Sequence, residues 1–282
     1  MKIAVISLSN EGARVAAKLA ASWGACDLFL HTSVTEVPWA QSVPFSRAEQ
    51  PPGERAADVA TDSRRFDRII ELTGEIFPLY RSLVYVAPTG VVVRAIAPCL
   101  QHKTVDPAVV VVDVGGRWAV SLLGGHEGGA NELAMAVANI LGAEPVVSTT
   151  TEATKDLIVG VGCRRHTAAS TIVAAIHEAL SRARGNLARV RLLASAEVKA
   201  DEPGLAEAAR QLGVPLRLIS AEEIRHTTRA FEHSDFVREK VDLPAVAEPA
   251  ALLAGRRTRL ILPKQILHGV TVAIAQESGV QI

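Results

Sequence analysis

The sequence predicts an α/β protein, with two α/β/α layered domains built on mostly parallel or mixed sheets. Three observations predict it. Short apolar runs, such as Leu83-Val84-Tyr85-Val86-Ala87 and Ala108 to Val112, read as buried strands. Amphipathic stretches such as Ala130 to Leu141 separate them, the alternation that layered α/β proteins show. The chain has 282 residues, about two domains at roughly 150 residues each. The polar stretch Thr149 to Asp156 is the best boundary, giving domains 1–152 and 153–282.

Lys2 to Leu8 reads as the first strand, with Ser9 or Asn10 capping a helix through Leu19. Leu28-Phe29-Leu30 is a second short strand. Thr35 to Asp62 is rich in Pro, Ser and Glu and reads as a loop-dominated connection. Arg68 to Ile76 carries helical spacing. After the strand at Leu83 to Ala87, Pro88-Thr89-Gly90 turns the chain into a helix over Val91 to Leu100. Ala108 to Val112 and Trp118 to Leu123 are strands joined by a hairpin turn at Asp113-Val114-Gly115-Gly116. Gly124 to Gly129 interrupts before the helix at Ala130.

In the second half, Leu157 to Gly162 is a strand and Ala168 to Arg182 a helix. Val190 to Ala194 is a strand, and Asp201-Glu202-Pro203 opens a helix with proline in its first turn. Val214 to Ile219 is a strand, and Ser220-Ala221-Glu222-Glu223 fits a capping box. Arg259 to Leu262 and Val270 to Ala275 read as strands linked across Lys264 to Gly269.

Composition narrows the function. Thirty Lys+Arg balance thirty Asp+Glu, so neither a generally basic nucleic-acid binder nor an acidic tail is expected. Aromatics are 4%, too few for base-stacking platforms. Cys26, Cys99 and Cys163 form no CxxC pair, so neither a disulfide framework nor a zinc knuckle is expected. With no signal peptide or membrane span in view, a soluble, cytoplasmic protein is expected.

Three stretches can carry chemistry. The first is Gly124-Gly125-His126-Glu127-Gly128-Gly129-Ala130-Asn131-Glu132, between a strand and a helix. Glycines let a ligand approach the backbone, and a helix N-terminus favours an anion by roughly 0.3–1 kcal/mol. His126 suits proton transfer, and Glu127 or Glu132 can orient it or act as a second base. The plainer alternative is a flexible turn with an exposed histidine.

The second is Gly160-Val161-Gly162-Cys163-Arg164-Arg165-His166-Thr167, where two guanidinium forks suit carboxylates. Surface arginines are the plain alternative, and Cys163 is either a thiolate near a helix N-terminus or a small residue filling a tight turn. A dinucleotide fingerprint fails because Arg165 stands where its third glycine belongs. The third is Pro88 to Arg94, where Thr89, Gly90 and Arg94 are candidate ligand donors or merely a cap above a core stripe. Lys199, Asp201, Glu202 and Lys264 are read at strand ends, where open α/β sheets bind ligands. The other histidines show no metal-ligand spacing, and no P-loop or GxSxG elbow is present.

Thr89-Gly90-Val91-Val92-Val93-Arg94-Ala95-Ile96-Ala97-Pro98, then Asp106 to Asp113, then Leu123 to Leu133 resemble the N-terminal part of the cobalt-precorrin-5A hydrolases of anaerobic cobalamin synthesis. Val159 to Arg165, Leu193-Ala194-Ser195 with Lys199 to Leu205, and Pro263-Lys264 with Gly269 to Ala275 resemble that family's C-terminal domain. Two departures stand out. Only Thr149 to Asp156 joins the halves, where many members carry a further segment, and His166 replaces the usual glycine.

The resemblance implies opening of the lactone of cobalt-precorrin-5A with release of acetaldehyde, giving cobalt-precorrin-5B. It implies His126, Glu127 and Glu132 as the catalytic group. Substrate contacts are expected from Thr89, Gly90, Arg94, Gly124, Gly125, Gly128, Gly129, Asn131, Gly160, Gly162, Cys163, Arg164, Arg165, Lys199, Glu202 and Lys264. The macrocycle is expected between strand-end loops of both domains. Cobalt arrives inside the substrate, so no cofactor and no protein metal site are expected. The partner is an anionic tetrapyrrole rather than nucleic acid or membrane, with a homodimer and transient contacts to neighbouring corrin-pathway enzymes also in view. The rival readings are a non-catalytic corrinoid carrier and, behind it, a nucleotide-dependent enzyme.

Overall fold

The computed structural model describes residues 3–24, 26–36, 63–232 and 243–279. The loop expected over 35–62 therefore lies, beyond Glu36, outside the described residues, as do Lys2 and His233. The chain forms two compact units, Met1–Val147 and Ser148–Ile282. The boundary read from the sequence falls a few residues later, inside a short helix, Thr150–Ala153, that belongs to the second unit.

In the first unit, strands β1 (Ile3–Ser7), β2 (Asp27–His31), β3 (Ser63–Phe66), β4 (Ser82–Val86), β5 (Ala108–Val112), β6 (Trp118–Leu123) and β7 (Glu144–Val146) form one sheet in the order β3-β2-β1-β4-β5-β6-β7. Neighbours run parallel except β5 and β6, which are antiparallel. Helices α1 (Asn10–Trp23), α2 (Ile69–Ile76), α3 (Thr89–Ile96) and α4 (Ala130–Leu141) cover it on both faces. Alternate side chains divide the core accordingly. Val5, Val84 and Val110 pack with Ala16 of α1 and Leu133 of α4, whereas Ile6, Tyr85 and Val111 pack with Ile76 of α2 and Ile96 of α3. Strands covered on both faces must be apolar throughout, which is why β4 and β5 contain almost no polar residue. Ser9 caps α1 by accepting the Gly12 N–H at 3.2 Å, and Gly24, at φ +67°, ends it.

The second unit opens with α5 (Thr150–Ala153). Strands β8 (Leu157–Gly162), β9 (Val190–Ala196), β10 (Leu216–Ile219), β11 (Thr258–Leu267) and β12 (Val270–Glu277) form a sheet in the order β10-β9-β8-β12-β11. β8, β9 and β10 are parallel, and β12 runs antiparallel to both neighbours. Helices α6 (Ala169–Arg182) and α7 (Pro203–Leu212) pack on one face through Ile172, Ile176 and Leu205, against Val159 and Val161. α8 (Ala221–His226) begins with the Ser220/Glu223 capping box, both bonds being made. It packs against α9 (Ala247–Leu253), which lies on the opposite face from α6. There Gly160 matters: a Cβ on it would sit 1.9 Å from the Ala247 carbonyl oxygen.

Five features depart from the expectation. β3, β7, α5 and α9 lie outside the elements read from the sequence, and β11 runs on from Thr258 through Lys264 to Leu267. Lys264 thus lies within a strand rather than in a linker. The strand tolerates Pro263 because β11 is an edge and its register slips between Leu260 and Gln265.

Gly160→Ala should destabilise the chain by about 3 kcal/mol, because its clash is with backbone and cannot be relieved by a rotamer. Gly74→Ala, with open space around an exposed helical position, should instead stabilise it by about 0.5–1 kcal/mol. Urea midpoints of the two variants decide this, and equal midpoints would refute the packing of α9 on β8.

Candidate active site

β6 ends at Leu123 and the chain turns through Gly124 to Gly129 into α4. Glycine is needed here on geometric grounds. Gly124 and Gly129 stand at φ +70° and +85°, and a Cβ on Gly128 would approach the Gly124 carbonyl oxygen to 2.8 Å. The Gly124 carbonyl accepts the N–H groups of Gly128 (3.1 Å) and Ala130 (3.0 Å), and the Gly125 carbonyl accepts that of Asn131 (3.0 Å). Those three amides are bound within the loop itself. Asn131 is buried, its Oδ1 accepting the Ser121 hydroxyl at 2.9 Å, so it braces α4 on β6 rather than facing a ligand.

His126 is exposed on this loop, and Glu132 is exposed one turn into α4. Glu127 does not orient His126; it accepts a hydrogen bond from Lys103 Nζ at 2.8 Å. That bond and the lysine's charge hold the Glu127 carboxyl below the usual carboxylate range, and raise the Lys103 ammonium in turn. Glu127 is therefore ionised at neutral pH. Lys103 was invisible in the sequence as a site residue. It reaches the loop because the turn from Gln101 to Asp106 is tied by Asp106, whose carboxylate accepts the Gln101 N–H at 3.0 Å.

Thr89 and Gly90 follow β4, at the carboxyl edge of the parallel strands, where α3 begins. Because β6 is antiparallel to β5, the loop after Leu123 lies at the other edge: Leu123 pairs with Val109, and Gly124 touches Pro107. The length of a five-residue strand, about 15 Å, separates the two sets. Arg94 Nη1 donates to the Gly90 carbonyl at 2.9 Å, folding back on its own helix. Thr89, Gly90 and Arg94 are not brought together with His126.

The second unit gathers its candidates better. Cys163, Arg164, Arg165 and His166 follow β8 at the carboxyl edge of the parallel strands, and Lys199 and Glu202 follow β9 at the same edge. Both arginines are exposed. His166 stands at φ +61°, a left-handed conformation that favours glycine. Its N–H donates to Glu202 Oε2 at 3.0 Å, while Lys199 Nζ lies 3.7 Å from Glu202 Oε1. The Glu202 carboxylate is thus turned inward, not toward a ligand. Cys163 is half-buried, and burial pushes its thiol up, with Lys199 opposing and Glu202 adding to the effect. It carries no ready thiolate.

Two candidates fall outside this group. Gly160 lies beneath α9, where no ligand can reach it. Lys264 faces the α9 side, its N–H donating to Glu248 Oε1 at 2.8 Å and its ammonium pairing with Glu232 at 2.9 Å. Among the described residues, no group of three or more His, Cys, Asp or Glu is placed to hold a metal ion. None of their helices is long and apolar enough to cross a membrane.

Relief of the left-handed strain in His166→Gly should stabilise the second unit by about 0.5–1 kcal/mol, a rise of a few degrees in its unfolding temperature. An unchanged or lower temperature would show that His166 makes compensating contacts.

The family described as "Cobalamin synthesis G N-terminal" matches residues 71–152, and that described as "Cobalamin synthesis G C-terminus" matches residues 157–275. The Salmonella typhimurium (strain LT2) cobalt-precorrin-5A hydrolase is 25% identical over 271 residues, covering 64% of this chain and 77% of that one. About 180 residues of this chain take part, so the relative carries about 90 residues in that span without counterpart here. Protein CobE of Sinorhizobium sp is 34% identical over 128 residues, 45% of this chain and 83% of its own length. Among solved structures, a cobalamin biosynthesis protein G homologue from Sulfolobus solfataricus is 18% identical, covering 98% of this chain and 97% of that one at a TM-score of 0.36. With both halves of the family matched in order, and only residues 153–156 between them, the chain belongs to the cobalamin synthesis G family, the cobalt-precorrin-5A hydrolases.

Proposed function

We propose that this protein is a cobalt-precorrin-5A hydrolase, opening the substrate's lactone and releasing acetaldehyde. The observation that carries the reading is the ordered match of both family halves along one chain. Relatives from Salmonella typhimurium and Priestia megaterium bear that name, and the chain covers 77% and 80% of their lengths.

Chemically, one water adds to the lactone carbonyl and the ring oxygen leaves as an alcohol, so a carboxylate is formed. The alcohol then loses its proton. Its oxygen becomes the carbonyl of acetaldehyde, and the electron pair of the broken carbon–carbon bond passes to the conjugated macrocycle. Two proton transfers are needed, and each calls for a positioned base. In this reading His126 is that base, because its imidazole is exposed on a loop braced by backbone hydrogen bonds. Glu127 is not the base, since its carboxylate is engaged by Lys103. Glu132 is the remaining nearby carboxylate.

The acetate and propionate fringe of the macrocycle needs cationic partners. Arg164 and Arg165 are the exposed pair suited to that work, on a loop whose His166 N–H is bonded to Glu202. Cobalt enters as part of the substrate.

Purified protein incubated with cobalt-precorrin-5A should release acetaldehyde. His126→Ala should lower kcat by about 10²–10⁴-fold while leaving substrate affinity within about threefold. Tight binding of the corrinoid without acetaldehyde from the wild type would instead identify a carrier and overturn the proposal.

A further inference from the structure

Between β8 and α6 the chain must make a short connection that exposes two adjacent arginines, and three contacts fix its shape. Thr167 Oγ1 donates to the Arg164 carbonyl at 2.8 Å, closing the loop on itself. Gly204, in the first turn of α7, lies so close that a Cβ on it would stand 1.9 Å from the Thr167 carbonyl oxygen. The third contact reaches the one strained residue: the N–H of His166, at φ +61°, donates to Glu202 Oε2 at 3.0 Å.

A non-glycine residue in the left-handed region needs something to hold it there. Glu202 is placed to do so. It is the N-cap residue of α7, the residue is 8% exposed, and its second oxygen lies 3.7 Å from the ammonium of Lys199, whose side chain is 12% exposed. With one oxygen on an N–H and the other on a cation, the carboxylate is satisfied without a ligand. It would also repel the acetates and propionates of an anionic macrocycle. Glu202 therefore has no plausible direct contact with such a substrate.

We infer that Glu202 is a positioning residue whose carboxylate, through the main-chain N–H of His166, fixes the loop that displays Arg164 and Arg165 to an anionic ligand. The ligand's identity rests on the hydrolase reading. The loop's dependence on Glu202 does not.

Three variants test this. Glu202→Gln keeps an oxygen that can accept the His166 N–H. The double variant Lys199→Met/Glu202→Leu removes the acceptor and the ammonium together, so that no buried charge is orphaned and the corner stays filled. Lys199→Met alone is its reference. The first readout needs no activity: the rate at which trypsin cuts native protein after Arg164 or Arg165, with sites assigned by mass. The double variant should be cut about tenfold faster than Lys199→Met, whereas Glu202→Gln should stay within about twofold of wild type. The second readout is steady-state turnover of cobalt-precorrin-5A. The double variant should raise KM about tenfold over Lys199→Met with kcat within about threefold, and Glu202→Gln should largely restore KM.

Equal cleavage rates in the double variant and its reference would overturn the inference. So would a Glu202→Gln variant cut as fast as the double variant, since charge rather than the hydrogen bond would then hold the loop. If the wild type forms no acetaldehyde, the hydrolase reading fails while the trypsin rates still decide the role of Glu202. Should the double variant not fold, faster cutting of Glu202→Asp, whose shorter side chain cannot span to the His166 N–H, supports the inference, and wild-type cutting overturns it.

Discussion

One antiparallel pairing governs where chemistry can occur in the first unit. All neighbouring pairs of its sheet are parallel except β5 with β6, and that single antiparallel pairing sends the chain out at the amino edge. The glycine loop, His126 and the start of α4 all follow from it. So does the meeting of Lys103 with Glu127, which lie 24 positions apart and come together only because the turn before β5 and the loop after β6 share an edge. Had β6 run parallel to β5, the loop after it would leave at the edge that carries Thr89, away from Lys103.

The two units use glycine and charge in contrasting ways. In the first, close approach of backbone to backbone binds the Gly128, Ala130 and Asn131 amides within the loop and leaves the His126 imidazole exposed. In the second, helix α7 is pressed on the loop after β8, and the guanidinium groups are left outward. One unit thus exposes an imidazole and the other exposes guanidinium groups.

Much of this was legible in the sequence wherever an apolar run met a conformational stop. Ala130–Leu141, Trp118–Leu123 and Leu157–Gly162 have the ends that their flanking glycines and turn residues imply. Elements without that contrast were hidden. β3 reads Ser-Arg-Arg-Phe and β7 centres on Pro145, both short of strand propensity, while α9 is made of good helix formers but is only seven residues long, with Pro249 in its first turn. The candidate loops were visible as glycines and charges between a strand and a helix, and the cations of the second unit fall at one edge as their strand-end positions suggest. The inward turn of Glu202, the seat of Lys264 and the separation of Thr89 from His126 were not visible, because each depends on pairings between distant segments.

Lys264, set aside from the site, has a different consequence. It lies with Pro263 in an irregular stretch of β11, the outermost strand of its sheet, with its own N–H turned to the Glu248 carboxylate. An open strand with a regular row of N–H and C=O groups invites a second chain to add on, the first step toward aggregates. Here a residue without an N–H, a slipped register and a cation interrupt that row midway. The margin of the sheet is thereby blunted against edge-to-edge pairing along this ten-residue strand.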